Sequence, residues 1–259
     1  MYFIDSHIHL SSKEFRPYLE TIFDLMYNTQ IQCFCMSEDL DSSYATVRLR
    51  ANNLKGYNLL KAFVGIHPQT STVSIDTESF QHFFYSNLDH IDGIGEIGLD
   101  PTYTNLNLKN SMESQKFIFY QMLMLAEKNH KPISIHSRKS VVDILEILPS
   151  YRIKNAVFHW YEGSKKNLKK INDMNFFVSF GPYILYNKEK QNMLQEANPN
   201  LVLLETDGPV PYKKCLKNVL TTPSLIISTQ YLLSKIIKKS FRETTNLLYL
   251  NALRFMNGH

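Results

Sequence analysis

Eight short apolar runs rich in β-forming residues recur along the chain, at Phe3 to Asp5, Gln32 to Met36, Ala62 to Ile66, Gly93 to Leu99, Pro132 to His136, Ala156 to His159, Phe176 to Phe180 and Leu201 to Thr206. The segments between them read as helices; Ser114 to Asn129, with Phe117, Tyr120, Gln121, Met124 and Leu125 at steps of three and four, is one example. Thr222-Pro223 predicts an N-cap and a first-turn proline for a helix over Ser224 to Ile237, and Phe241 to Phe255 predicts a final helix. Strand and helix alternating eight times over 259 residues is the arithmetic of a (β/α)8 TIM barrel, an α/β fold. A doubly wound sheet alternates in the same way. The two differ in where function collects: a barrel gathers it at the C-terminal ends of many strands, and this chain puts its unusual residues there.

With 44% hydrophobic residues the chain can bury one large core, so a single domain over 1–259 is expected rather than two of the usual ~150 residues. No linker, low-complexity tract or short-period repeat divides it. There is no basic leader, and apolar stretches such as Tyr231-Leu232-Leu233 stop short of the ~20 residues that span a bilayer, so a soluble protein without a membrane partner is expected. Cys33, Cys35 and Cys215 are too few and odd in number for a disulfide framework, which fits a reducing cytoplasm. Cys33 and Cys35 fall in the apolar run Ile31 to Met36, where core filling is a simpler role than metal binding. The net charge of +4 permits a polyanionic partner without demanding one.

The first strand ends Asp5-Ser6-His7-Ile8-His9. Alternation along a strand puts His7 and His9 on one face with Asp5 beneath them. An isolated His-x-His is most simply a polar strand end that meets water, but the theme repeats. Gly65-Ile66-His67-Pro68 follows strand three, and Gly95-Glu96-Ile97-Gly98-Leu99-Asp100 closes strand four, with glycines that let the carboxylate approach other backbone. Ser134-Ile135-His136-Ser137-Arg138, Val157-Phe158-His159-Trp160 and Leu204-Glu205-Thr206-Asp207-Gly208-Pro209 close strands five, six and eight. Five of nine histidines therefore sit at predicted strand ends; His82, His90, His130 and His259 do not. Imidazoles with carboxylates and no thiolate suit a first-row or hard divalent ion rather than a structural zinc knuckle. Two dications repel unless an anion lies between them, and Glu96 is the candidate bridge. His7, His9 and Asp207 would share one ion with Glu96, and His136 and His159 the other. A pair of ions ~3.5–4 Å apart clamps a water and a phosphoryl oxygen, which makes a hydrolase.

These stretches resemble the TatD family of metal-dependent deoxyribonucleases within the amidohydrolase-like barrels. The matching motifs are Ile4 to Leu10, Val64 to Pro68, Ile94 to Asp100, Ile133 to Arg138, His159-Trp160 and Leu203 to Asp207, in family order, with Asn251 to Phe255 echoing the family's closing helix. The resemblance implies that His7, His9, Glu96, His136, His159 and Asp207 are metal ligands, and that His67 and Arg138 lie near the substrate phosphate. It implies two divalent ions, Mg, Mn or Zn, and a DNA substrate. Pro101-Thr102, Lys139 and Gly208 depart from the family pattern on loops that would touch substrate.

Asp207 is the residue expected to orient and deprotonate the attacking water, against a plain turn-capping role. Glu205 shares its face, as a support for a ligand or as an interior hydrogen-bonding group. Asp5 either supports the His7 ring or binds metal. Arg138 and Lys139 hold phosphate or are simply solvated; Trp160 and Tyr161 stack a base or pack beneath a loop. Lys165, Lys166, Lys169 and Lys170 read as an exposed helix face, and Lys213, Lys214 and Lys217 as a basic loop at the mouth. The expected activity is hydrolysis of DNA phosphodiester bonds at single-stranded ends, because a barrel mouth admits a strand more easily than a duplex. An amidohydrolase acting on a small ester, lactone or amide is the alternative, although Glu96 stands where such enzymes often carry a carboxylated lysine. A binding module on a vestigial barrel is the third reading, and the complete ligand set argues against it.

Overall fold

The computed structural model describes residues 2–52, 59–71, 75–105 and 110–258. Strands and helices alternate as β1 (Phe3–Ile8), α1 (Leu19–Thr29), β2 (Ile31–Cys35), α2 (Leu40–Ala51), β3 (Leu60–Val64), α3 (Thr77–Ser86), β4 (Gly93–Gly98) and α4 (Met112–Asn129). The second half continues as β5 (Ile133–His136), α5 (Val141–Ile147), β6 (Ala156–Phe158), α6 (Lys165–Asp173), β7 (Phe177–Phe180), α7 (Lys188–Glu196), β8 (Val202–Leu204), α8 (Leu225–Ile236) and α9 (Phe241–Asn257). The eight strands lie side by side in sequence order, every pair parallel, which identifies a (β/α)8 barrel rather than a doubly wound sheet. The ring is drawn together beyond β8: the Asp207 amide donates to the His7 carbonyl and the His9 amide to the Gly208 carbonyl, both at 2.8 Å.

Two apolar layers hold the barrel. Ile4, Phe34, Phe63, Val157, Phe177 and Leu203 come from strands on opposite sides yet form one cluster, which is possible only inside the ring. Phe255 of α9 joins them from below, its ring 6.1, 6.0 and 5.8 Å from those of Phe34, Phe63 and Phe177. Gly93 makes room for this filling, since a Cβ there would lie 2.1 Å from the Phe63 ring. The outer layer packs the other strand faces, including Cys33, Cys35, Val64, Ile94 and Ile135, against the helices. Capping boxes at Asp39/Ser42, Ser111/Ser114 and Ser240/Glu243 start α2, α4 and α9 by pairing otherwise orphaned amides.

Two local expectations are corrected. Of the steps chosen for α4 only Leu125 is buried: Phe117 and Met124 are 55% and 54% exposed, while Ile118, Phe119, Met122, Leu123 and Ala126 are buried with Leu125. Both faces of this helix are apolar in sequence, so spacing alone cannot choose between them. Thr222 does not cap α8; the helix begins after Ser224, and the Thr222 and Ser224 hydroxyls lie 2.8 Å apart and satisfy each other. Among the described residues no helix is long and apolar enough to cross a membrane.

Truncating the plug by Phe255→Ala is expected to cost ~3–5 kcal/mol of unfolding free energy in urea. Leu253→Ala, on the same helix but 39% exposed, should cost far less, and equal losses would contradict the plug. Burial pushes the Cys33 and Cys35 thiols up, whereas Cys215 is exposed. A thiol reagent near pH 8 should therefore label one cysteine in the native protein and all three after denaturation.

Candidate metal centre

The two strands that carry the central residues are both irregular. On β1, Asp5 lies opposite Cys33 and Ile8 opposite Cys35; on β4, Ile94 lies opposite Ile133 and Ile97 opposite Ile135. In each case three steps face two, the signature of a bulge, and a bulge re-aims the side chains it contains. The first holds Ser6-His7 and the second Gly95-Glu96. The Glu96 amide is drawn to the Ser37 carbonyl at 2.7 Å, which turns its side chain to the barrel mouth. Gly98 (φ +149°) lets β4 close on β5, because a Cβ there would sit 2.0 Å from the His136 carbonyl oxygen.

Glu96 is the centre of the resulting cluster. Its Oε2 lies 3.3 Å from both His7 Nε2 and His9 Nε2. Its Oε1 lies 2.7 Å from His136 Nδ1, 2.6 Å from His159 Nε2 and 3.3 Å from His67 Nε2. Asp207 closes the first group, with Oδ1 3.6 Å from His7 Nε2 and 3.4 Å from His9 Nε2. One carboxylate thus faces two sets of imidazoles with its two oxygens. His67, read from sequence as a substrate neighbour, stands inside the second set, 3.2 Å from His136 Nδ1. Arg138 is exposed at the mouth and lines the same cleft of about 500 Å³.

The outer contacts orient these rings. Ser134 Oγ lies 3.0 Å from His7 Nδ1, and Asp100 Oδ2 lies 3.0 Å from His136 Nε2, so each ring turns its other nitrogen toward Glu96. Sequence reasoning missed both roles, although both residues stand in the strand-end motifs; no spacing rule names a partner from another strand, whether adjacent, as β4 is to β5, or across the ring, as β5 is to β1. Asp5 does not support the His7 ring. The bulge interrupts the alternation that would align them, and the Asp5 carboxylate accepts from the Thr206 amide at 2.9 Å and the Thr206 hydroxyl at 2.5 Å. Burial pushes the pKa of Asp5 up to about 8, against the lowering effect of those bonds. Glu205 is an interior acceptor for the Trp160 amide (2.7 Å) and the Ser179 hydroxyl (2.5 Å), and stands 3.9 Å from His159 Nδ1. Tyr161 is core, its hydroxyl donating to the Ser164 carbonyl, whereas Trp160 is half-buried at the mouth. Lys165, Lys166, Lys169 and Lys170 are exposed on α6 and do not line the cleft; Lys213 does.

The electrostatics fit a cation. Burial would raise the pKa of Glu96, but His159, His67 and His7 together with the His136 hydrogen bond hold it well below the ordinary carboxylate range. Burial opposes charge on His9, His136 and His159, yet their carboxylate partners raise all three. His7 and His67 go the other way, lowered mainly by burial. His7 Nε2 and His9 Nε2 point at each other across 3.2 Å, which is favourable only with a proton or a cation to share. His7, His9 and Asp207 form one set able to hold an ion, and His67, Glu96 and His136 another. The nitrogen and oxygen donors suit a divalent ion of the first row or a hard one.

A family model described as TatD related DNase matches residues 4–257. An uncharacterized metal-dependent hydrolase of Haemophilus influenzae is 29% identical over 79% of this chain and 80% of its own length. The human deoxyribonuclease TATDN3 is 21% identical over 97% of this chain and 93% of its own. A crystal structure of a TatD homologue from Escherichia coli K12 superposes with a TM-score of 0.87 at 20% identity, covering 99% of this chain and 98% of that one, and so shares the fold.

Asp100→Asn tests the orienting contact. A carboxylate accepts the His136 Nε2 proton and leaves a lone pair on Nδ1; an amide that turns its NH2 to Nε2 forces the proton onto Nδ1, toward the cluster. Affinity for divalent ions, measured by titration calorimetry, is expected to fall about 10–100-fold, and an unchanged affinity would show that the ring needs no such partner.

Proposed function

This chain belongs to the TatD related DNase family of metal-dependent hydrolases, and from that premise we propose that it cleaves phosphodiester bonds of DNA at single-stranded ends using two divalent ions. What carries the reading is the two-sided environment of Glu96, one oxygen toward His7 and His9 and the other toward His136, His159 and His67. His7, His9 and Asp207 would hold one ion with Glu96, and His136 and His159 the second. When bound, such ions polarise the phosphate and lower the pKa of a water that attacks in line.

The protein's own groups supply the rest. Asp207 lines the cleft with its carboxylate against His7 and His9, where it can orient the water and accept its proton. The water oxygen forms a new bond to phosphorus as one ester P–O bond breaks, leaving a phosphomonoester and an alcohol. Arg138, exposed at the mouth, would grip a non-bridging phosphate oxygen pair, and His67, which lines the same cleft, would donate toward the same group. Single strands are favoured by access. Glu96 is 3% exposed at the bottom of the cleft, and a flexible strand can lower a phosphate to it where a duplex must be deformed. A cleft of about 500 Å³ also suits a small ester or amide, the competing substrate class.

End-labelled single-stranded DNA should be shortened by the protein with Mg²⁺ or Mn²⁺, and chelation should abolish this until a divalent ion is restored. Glu96→Ala and Asp207→Asn should each lower the rate by at least about a hundredfold, the most expected even for an outer-shell partner, with circular dichroism unchanged. Turnover of a lactone or amide without cleavage of any nucleic acid would replace this reading with the amidohydrolase one.

A further inference from the structure

We propose that the wall of the cleft formed by the loops after β6, β7 and β8 is a stacking subsite for one unpaired nucleobase of the substrate, with Trp160 as its main surface. The inference rests on the reading of the protein as a DNA phosphodiesterase. Trp160 is the only tryptophan in the chain, directly follows His159, and lines the same cleft as Glu96, His136 and His159, the cluster that would take the phosphate. The indole lies flat on Tyr212, ring centroids 5.2 Å apart and planes 6° from parallel. Tyr212 is buried and its hydroxyl donates to the Thr206 carbonyl at 2.9 Å, so the indole rests on a fixed backing. Tyr183 and Tyr186, half-buried and 5.1 Å apart, extend the same wall. The Tyr186 hydroxyl accepts the Lys213 amide at 3.0 Å, which seats an exposed cation at the lip of the aromatic surface.

The backbone points the same way. Trp160 has φ +41°, a conformation a bulky residue rarely adopts, and it is held there by the buried Glu205 carboxylate, which accepts its amide. The charge of the mouth is lopsided. Glu162 on the aromatic side is neutralised by Lys190 at 3.2 Å, whereas among the described residues no ion pair engages Glu38 on the opposite wall, and a bare carboxylate there repels a polyanion. Flat π surfaces beside a cationic lip and a phosphate-sized floor match a nucleotide. An unpaired base is required because a base within a duplex already has both faces covered.

The single tryptophan makes the test direct. In EDTA, titration with single-stranded oligodeoxyadenylate should quench the fluorescence of Trp160 saturably, while an abasic sugar-phosphate strand of equal length and inorganic phosphate should not. Under turnover, Trp160→Ala should lower the preference, as a ratio of kcat/KM, for the oligonucleotide over methyl 4-nitrophenyl phosphate by about tenfold or more, and Trp160→Phe should restore most of it. Equal quenching by the abasic strand, or a preference unaltered in Trp160→Ala, would overturn the subsite while DNA cleavage by the native protein stands. Base-dependent quenching without any DNA cleavage would leave the subsite and overturn the nuclease.

Discussion

A carboxylate almost cut off from water sets the terms for the rest of this molecule. An ionised group in that position costs several kcal/mol of lost hydration unless partners replace the solvent, and Glu96 has replaced it with imidazoles on both sides. The arrangement is mutual. The histidines keep the carboxylate ionised, and carboxylates raise the basicity of three of them against their own burial: Asp207 with Glu96 at His9, Asp100 with Glu96 at His136, and Glu96 with Glu205 at His159. Neither half is stable as it stands without the other. A dense knot of lone pairs with so little water is also what a divalent ion needs in order to bind by displacing protons.

The barrel converts a linear scatter of residues into that knot. His7, Glu96 and His159 belong to strands far apart in sequence, and only the closed ring faces them to one centre. Two devices refine the placement. The bulges on β1 and β4 break the regular pleat where His7 and Glu96 sit, and the close approach allowed at Gly98 brings the His136 backbone against β4. Behind them, Ser134 and Asp100 fix which nitrogen of each ring faces inward. Stability and function are segregated along the barrel axis. Phe34, Phe63, Phe177 and Phe255 fill the interior below, and the polar cluster occupies the top.

All eight strands were legible in the sequence because each is a short apolar run, and six of them carry a polar end, a contrast that survives errors of a residue or two at the boundaries. The strand-end residues were legible for the same reason: a histidine such as His136 is conspicuous directly after Ile133-Ser134-Ile135. What could not be read depends on neighbours that a one-dimensional pattern does not contain. Alternation placed Asp5 beneath His7, but a bulge is an accident of register between two strands, and it sent Asp5 to Thr206 instead. The supporting roles of Ser134 and Asp100, the buried face of α4 and the backing of Trp160 by Tyr212 likewise exist only between segments. The cap of α8 shows the same limit: the Thr222 hydroxyl pairs with that of Ser224, and only the Thr222 carbonyl accepts a helix amide, that of Leu225.

The bond from Thr206 to Asp5 joins residues 201 positions apart, and the aromatic stopper beneath the ring arrives later still, at Phe255. A ribosome releases His7 and His9 early, long before their counterparts near position 207 have been translated. Until Asp207 has been translated the nascent polypeptide therefore owns several imidazoles but not the full ring of partners that gathers them, so the cluster cannot assemble piecemeal as its members emerge.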